Sequence, residues 1–579
     1  MTRLPYRIAV AASATLATAA LVFSAVVPAS AVQPSATTAG GSTLTPATPG
    51  TLQECESLVD FDYPNTLITK ASIVPAGVVS TVAVGEHCLV TGTMNARKSP
   101  VDGRDYAIGF EMRLPTAWSG RYLYQANGGI DGSVAPAVGA TRGGESGLQM
   151  GMAVISSDAG HAGNQNPVFG LDPQARLDYG YQAVGTLTPM AKSLVSATYG
   201  RGPDRSYITG GSNGGRHTMV ASTRYADQYD GFLAISPGFN LPKAAVAQIW
   251  GAQQWATVAT AADLATAFTP QERQLVAGTI LARCDGLDGL KDGMVYSTAK
   301  CQNVFSIQGH VPTCKSERDG TCLTRDQKSV IASVFGGAET SEGTPIYSSF
   351  PFDPGLTQPG WADWKFNAPL NRDAGAVGYI FNTPPPAPPL ATLRDFALTL
   401  DIDAAAEAIW TTSGIYTESA MSFMTPPNPT NLDTLKNRGG KMIVIHGASD
   451  GVFSPDDTAA WYDGVQDRYS GAAGEFARYY EIPGMGHVSG GPATDQHQGL
   501  SALIAWVEQG TAPDLVGSVN PANTAIPADW SLARTRPLCA YPAIAQYTSG
   551  DPESATSFAC VDGPRRGNSY SHATGGRNG

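Results

Sequence analysis

The stretch RSYITGGSNGGRHTMVASTRY, residues 205–225, sets Ser212 among glycines at the point where a short β-prone run gives way to a helix-like segment. Gly210-x-Ser212-x-Gly214 is the pattern of a nucleophile elbow, in which a sharp turn lifts the hydroxyl clear of the sheet and small flanking residues let helix and strand approach. With 65 glycines in the chain, chance matches are common, so this serine needs an acid and then a histidine downstream, in that order. Lys441-Met-Ile-Val-Ile-His446 reads as a buried strand running into Gly447-Ala-Ser-Asp450. Asp450 is therefore expected just past the carboxyl end of a strand, where sites on open α/β sheets form. Asp456 and Asp457 compete for that role, but behind Pro455 they read as first-turn helix residues. After Asp450 come His487, His497 and His572. His572 lies in the terminal segment and His497 in a polar run, whereas His487 follows a strand pattern in the loop Gly484-Met-Gly-His-Val-Ser-Gly-Gly491. His487 is the expected general base, taking the proton of Ser212 while Asp450 fixes its tautomer. A tetrahedral intermediate also needs two N–H donors. Asn213, after the serine, supplies one; the loop Gln125-Ala-Asn-Gly-Gly-Ile-Asp-Gly132 supplies the other through Gly129.

These residues need a sheet with helices on it, so the expected class is α/β. The chain has 579 residues, 42% hydrophobic and 15% charged, too apolar for a disordered polyelectrolyte and too sparsely charged for a coiled coil. Its net charge of −12 and the lack of a long basic run argue against a nucleic-acid partner. Arg3 and Arg7, an apolar run and Pro28-Ala-Ser-Ala31 make residues 1–31 an expected signal peptide; an uncleaved anchor is the alternative. No later run reaches the ~18 apolar residues of a membrane span, which makes the expected mature protein secreted and free of the membrane. Residues 32–50 read as a disordered linker and 564–579 as a disordered tail. Eight cysteines allow 105 connectivities. Pairing neighbours closes the shortest loops: Cys55–Cys88, Cys284–Cys301, Cys314–Cys322 and Cys539–Cys560. The acidic turn Cys284-Asp-Gly-Leu-Asp-Gly-Leu-Lys-Asp-Gly-Met294 carries three carboxylates. These suit either a hard cation or plain solvation.

Several segments together resemble the tannase/feruloyl esterase family of α/β-hydrolases, most closely its mono(2-hydroxyethyl) terephthalate hydrolase branch: YITGGSNGGRH, RYADQYDGFLAISPGFNLPKA, RCDGLDGLKDGMV, HGASDGVFS, PGMGHVSGGP and ARTRPLCAYPAIAQY. The resemblance runs from about Cys55 to Cys560. It implies an α/β-hydrolase core, residues 51–239 and 431–563, with a large lid domain inserted at 240–430, consistent with the 238 residues between Ser212 and Asp450. It agrees with the triad, the two oxyanion amides and the four local disulfides. It also implies a structural calcium ion, held by Asp285, Asp288 and Asp292 with the carbonyls of Leu290 and Met294, and no organic cofactor. The implied activity is a serine carboxylic ester hydrolase acting through an acyl-enzyme on small aromatic-acid esters of feruloyl, galloyl or terephthalate-monoester type; the sequence does not set the oligomeric state, and a monomer is the expectation. A peptidase on the same core and an impaired binding protein are the alternatives. Trp364 and Phe453 match aromatic pocket positions, and His446 joins them in the expected substrate pocket. Two departures stand out. The cysteines that the family places before the nucleophile and after the catalytic histidine are here Gly211 and Val488. The stretch from Asn367 to Gly378 is short and offers no residue that aligns with the branch's carboxylate-binding arginine, Arg372 being merely nearby, which favours neutral or phenolic esters.

Overall fold

The computed structural model describes residues 44–566. The expected signal peptide, residues 32–43 of the expected linker and residues 567–579 of the expected tail lie outside them. Nine strands form the central sheet: β1 (Thr66–Val74), β2 (His87–Lys98), β3 (Asp105–Pro115), β4 (Arg121–Ala126), β5 (Ala153–Ser157), β6 (Arg205–Gly211), β7 (Gly231–Ile235), β8 (Lys441–Gly447) and β9 (Ala477–Ile482). Their order across the sheet is 1-2-3-5-4-6-7-8-9. The first strands pair antiparallel as far as β3 with β5, and from β5 with β4 onward every pairing is parallel. Parallel strands covered on both faces read as continuous apolar runs, which is why Gly231–Ile235 and Lys441–Ile445 show no polar alternation. The side chains still alternate. Phe232, Ala234, Met442 and Val444 enter one apolar cluster, and Leu233, Ile235, Ile443 and Ile445 the other. The register keeps the sets together, Phe232 beside Met442 and Leu233 beside Ile443.

Helices cover both faces. α1 (Ala183–Tyr199), α2 (Asn213–Arg224), α3 (Leu241–Ala256) and α4 (Pro455–Arg468) contribute to the first cluster. α5 (Gly499–Gln509) closes the second with Leu500, Leu503 and Val507 on one stripe. Each such buried side chain contributes about 1.5–3 kcal/mol. This is the α/β-hydrolase arrangement.

Between β7 and β8 the described chain forms no sheet strand. The insertion is built of helices whose starts are written locally: Thr269 with Glu272 and Thr324 with Gln327 form capping boxes at Pro270–Cys284 and Arg325–Gly336. Buried arginines tie it to the core. Arg176 donates to the carbonyls of Tyr379 and Asn382 at 2.8 and 3.2 Å, and Arg216 to that of Met424 at 3.3 Å.

All four neighbour disulfides are formed. Among the described residues no helix is long and apolar enough to cross a membrane. Composition misplaced two boundaries. Residues 44–50 belong to the folded body: the Ala47 amide donates to Glu508 at 3.0 Å, and Gly50 pairs with Trp118. At the other end Arg566 is largely covered, donating to Asp456 at 2.7 Å and also bonding Glu481. Polar composition predicts solvation only when no buried countercharge waits nearby.

Candidate active site

Ser212 sits between β6 and α2 with φ 62° and ψ −126°, a sparsely populated conformation that costs of order 1–3 kcal/mol. The surroundings enforce it. A Cβ at Gly214 would lie 2.2 Å from the Ala126 carbonyl oxygen, and one at Gly210 would lie 2.6 Å from the same atom, so only glycine lets the end of β4, the turn and the helix meet. The Ser212 amide donates to Ile235 across the sheet at 2.9 Å.

The Ser212 hydroxyl lies 2.7 Å from His487 Nε2, and His487 Nδ1 lies 2.8 Å from Asp450 Oδ2. Three elements far apart in sequence thus form one hydrogen-bonded chain. The competing acids are engaged elsewhere, Asp456 by Arg566 and Asp457 by Asn240 at 3.0 Å. His497 is buried away from this chain, its Nδ1 accepting from the Gly499 amide at 3.3 Å. Asp450 is buried, and burial opposes its charge. His487 nearby, with hydrogen bonds from His446 and His487, nonetheless holds the carboxyl well below its ordinary range. The Val452 and Phe453 amides occupy its other oxygen at 2.9 and 3.0 Å.

His446 does not line the pocket. It is fully buried on β8, with Nε2 3.2 Å from both Asp450 Oδ2 and the Phe453 carbonyl and Nδ1 2.9 Å from the Thr458 hydroxyl. Two acceptors at Nε2 require the proton there, so His446 donates to Asp450 from behind.

The His487 loop is pinned from several sides. The Val488 amide donates to Ser236 at 3.1 Å, and the Gly484 amide to the buried Asp353 at 3.2 Å. Gly211 and Val488 do face one another: a Cβ on Gly211 would lie 2.9 Å from Val488 Cγ1. Van der Waals contact occupies the place where the family pattern sets a disulfide, with Val488 at φ 67°, an outlier for a β-branched residue.

Asn213 opens α2, and the first amides of a helix have no intrahelical acceptor. Among the described residues neither its N–H nor that of Gly129 (φ 70°) has an acceptor. Both residues border a cleft of about 320 Å³ that also touches Ser212, Leu241, Phe453 and Arg372. Phe453 and Trp364 stand edge-on to the His487 ring at 5.3 and 5.0 Å. The Arg372 guanidinium lies over Trp364 at 4.2 Å and donates to Asp373 at 2.8 Å. Arg372, which no alignment placed in the pocket, is thus in the cleft, brought there by the helix Arg372–Ala376. The i, i+8 separation from Trp364 gave no signal in the sequence.

The acidic turn follows the helix Pro270–Cys284. Asp285 accepts from the Asp292 and Gly293 amides, each at 3.1 Å, and Asp292 binds Arg536 at 2.5 Å. Asp288 Oδ2 is buried with no partner among the described residues. Burial pushes the Asp288 carboxyl up to about 7; the Leu290 amide opposes this, and the charges of Asp292 and Asp285 add to it. Among the described residues no group of three or more His, Cys, Asp or Glu side chains is arranged to hold a metal ion. The orphaned oxygen and the crowded like charges suit a cation, while Asp292 is already shared with a guanidinium.

The family model for tannase and feruloyl esterase matches residues 88–561. The mono(2-hydroxyethyl) terephthalate hydrolase of Piscinibacter sakaiensis is 37% identical over 561 residues, covering 88% of this chain and 92% of that one. A probable feruloyl esterase B-1 of Aspergillus oryzae is 26% identical over 537 residues, with coverages of 88% and 93%. The crystal structure of feruloyl esterase B from Aspergillus oryzae superposes with a TM-score of 0.71 at 24% identity, covering 87% of this chain and 98% of that one.

Proposed function

The chain belongs to the tannase and feruloyl esterase family and is a carboxylic ester hydrolase, and from that premise we propose that it is a secreted serine esterase cleaving esters of aromatic acids through an acyl-enzyme on Ser212. The observation that carries this reading is the unbroken relay of 2.7 and 2.8 Å from Ser212 through His487 to Asp450, beside a cleft bordered by two unpaired amides. In the first half-reaction His487 Nε2 takes the Ser212 proton as Oγ bonds to the ester carbonyl carbon. Negative charge gathers on the carbonyl oxygen, where the Gly129 and Asn213 amides receive it. The carbon–oxygen bond to the alcohol then breaks as His487 returns the proton to the leaving oxygen. In the second, water is deprotonated by His487, adds to the acyl carbon, and expels Ser212 with the proton returned to Oγ. Asp450 stays ionised throughout, fixing the Nδ1–H tautomer.

Phe453 and the Trp364–Arg372 pair suit a planar acyl group that carries an anionic substituent. A panel of methyl ferulate, methyl gallate and a terephthalate monoester tests this. Turnover on none of them overturns the aromatic-acid reading. Arg372→Leu is expected to lower kcat/KM for the carboxylated ester about 10- to 100-fold, the size of a charged hydrogen bond, while changing that for methyl ferulate less than about threefold. Equal losses on both would remove Arg372 from substrate recognition.

We also propose a structural calcium ion at Asp285, Asp288 and Asp292 with the Leu290 and Met294 carbonyls, supported by the unpartnered Asp288 oxygen. A ligand at 100 times its Kd stabilises by about 2.7 kcal/mol. Chelator is therefore expected to lower Tm by about 2–3 °C in a chain of this length, with calcium restoring it. An unchanged Tm together with no calcium in the purified protein overturns the site.

A further inference from the structure

The loop that carries Gly129 runs on into Asp131, whose carboxylate takes no part in the relay. Asp131 has φ 51°, in the left-handed region that Asn and Asp occupy more readily than most residues. Its side chain is 1% exposed, and Oδ2 accepts from Asn213 Nδ2 at 2.7 Å and His217 Nε2 at 2.9 Å. Asn213 in turn accepts from Arg216 Nε at 2.6 Å, and that buried guanidinium also donates to the Gly180 and Tyr179 carbonyls at 2.7 and 2.9 Å and lies 3.1 Å from both ring nitrogens of His217. Facing a carboxylate oxygen, His217 Nε2 is the N–H donor of that pair; burial, with Arg216 beside it, holds His217 far below the ordinary histidine range. Burial pushes the Asp131 carboxyl up to about 7, against His161, Arg216 and the Asn213 amide. The two N–H donors on Oδ2 are those an ionised carboxylate takes. The loop backbone is fastened as well: His161 donates to the Ile130 carbonyl at 2.9 Å, Asn166 to that of Asp131 at 3.1 Å, and the Gly132 amide to Asp158 at 3.0 Å.

We propose that Asp131 is a positioning residue of the oxyanion site: one carboxylate oxygen fastens the loop bearing the Gly129 amide to the helix start bearing the Asn213 amide. This rests on reading those two amides as the oxyanion donors. They come from segments 84 residues apart, one of them a glycine-rich loop, and neither has an acceptor among the described residues to hold it. Donors of this kind work because they need not reorganise as charge develops, and a displacement of about 1 Å costs about 10²-fold in rate. The clasp supplies the missing constraint through the Asn213 side chain, leaving its amide free for the substrate.

The test compares kcat, KM and the affinity for an arylboronic acid, which mimics the tetrahedral state, with the affinity for the carboxylic acid product. Asp131→Ala is expected to lower kcat about 30- to 100-fold and to weaken the boronic acid in proportion, with KM and product affinity within about threefold. Asp131→Asn keeps an acceptor oxygen and tolerates the backbone, and is expected to recover kcat to within about fivefold of the parent. Asn213→Ala removes the donor side of the clasp, and adding it to Asp131→Ala lowers kcat no further. If Asp131→Ala does not fold, Asn213→Ala alone carries the test: a kcat at least tenfold lower at unchanged Tm is expected, and an unchanged kcat overturns the clasp. Parental kcat in Asp131→Ala, or loss without weaker boronic acid binding, also overturns it. Failure of a fluorophosphonate to modify Ser212 in the parent protein would overturn the underlying reading instead, so the two failures are distinguishable.

Discussion

Alanine at position 212 lowers kcat on every ester the protein cleaves by about 10⁴- to 10⁶-fold, leaving only what binding and the oxyanion donors supply over water. KM changes little, because the hydroxyl contributes to the transition state and hardly to ground-state binding. Stability moves little or upward. Position 212 lies at φ 62° whichever residue occupies it, and Ala has no more difficulty there than Ser. The comparison therefore separates chemistry from folding: Tm within about 2 °C of the parent, kcat collapsed, and no adduct at position 212 by mass spectrometry after fluorophosphonate treatment. Turnover unchanged in the variant would sink the acyl-enzyme reading, and no turnover in either protein, with the parent also unlabelled, would favour a binding protein on a hydrolase shell. A parent that cleaved amides in preference to esters would point to the peptidase alternative.

The relay was legible in the sequence because each member sits at a local signature: glycines around Ser212, a strand end before Asp450, a glycine-rich loop around His487. What surrounds the relay was not. His446 was grouped with the pocket residues, but Lys441–Gly447 is buried on both faces, and an unbroken apolar run does not reveal which way a side chain near its end turns. The Asp131–Asn213 bond spans 82 residues, and nothing in either segment states that they meet. The same holds for Arg372, which reaches the cleft through the insertion rather than through a motif. The fold was readable from its elements, whereas the boundaries at residues 44–50 and 564–566 failed because they depend on partners such as Glu508 and Asp456 that composition does not count.

Asp450→Asn is expected to cost about 10⁴-fold in kcat, and the reason lies in how many donors the carboxylate serves. Four N–H groups converge on it: the Val452 and Phe453 amides on Oδ1, His487 and His446 on Oδ2. A carboxamide has one acceptor oxygen and one NH₂, so one pair of donors must face another donor. Backbone amides cannot change their protonation, and imidazoles can. The carboxamide oxygen of the variant therefore stays with Val452 and Phe453, and its NH₂ points at the two histidines. His487 then accepts at Nδ1 and carries its proton on Nε2, where it can no longer take the proton of Ser212. His446 must likewise move its proton to Nδ1 and give up the bond to the Phe453 carbonyl. The loss is one of tautomer rather than of shape. Tm is expected to stay within a few degrees, substrate KM within about threefold, and fluorophosphonate modification of Ser212 to slow by a factor similar to kcat. Because the triad acts as a unit, combining this change with Ser212→Ala makes the enzyme no slower than Ser212→Ala alone. A kcat within tenfold of the parent would mean that another carboxylate orients His487. Asp457, held by Asn240, and Asp456, held by Arg566, could do so only by abandoning partners at 3.0 and 2.7 Å, so in that outcome one of those bonds would have to break before the first turnover.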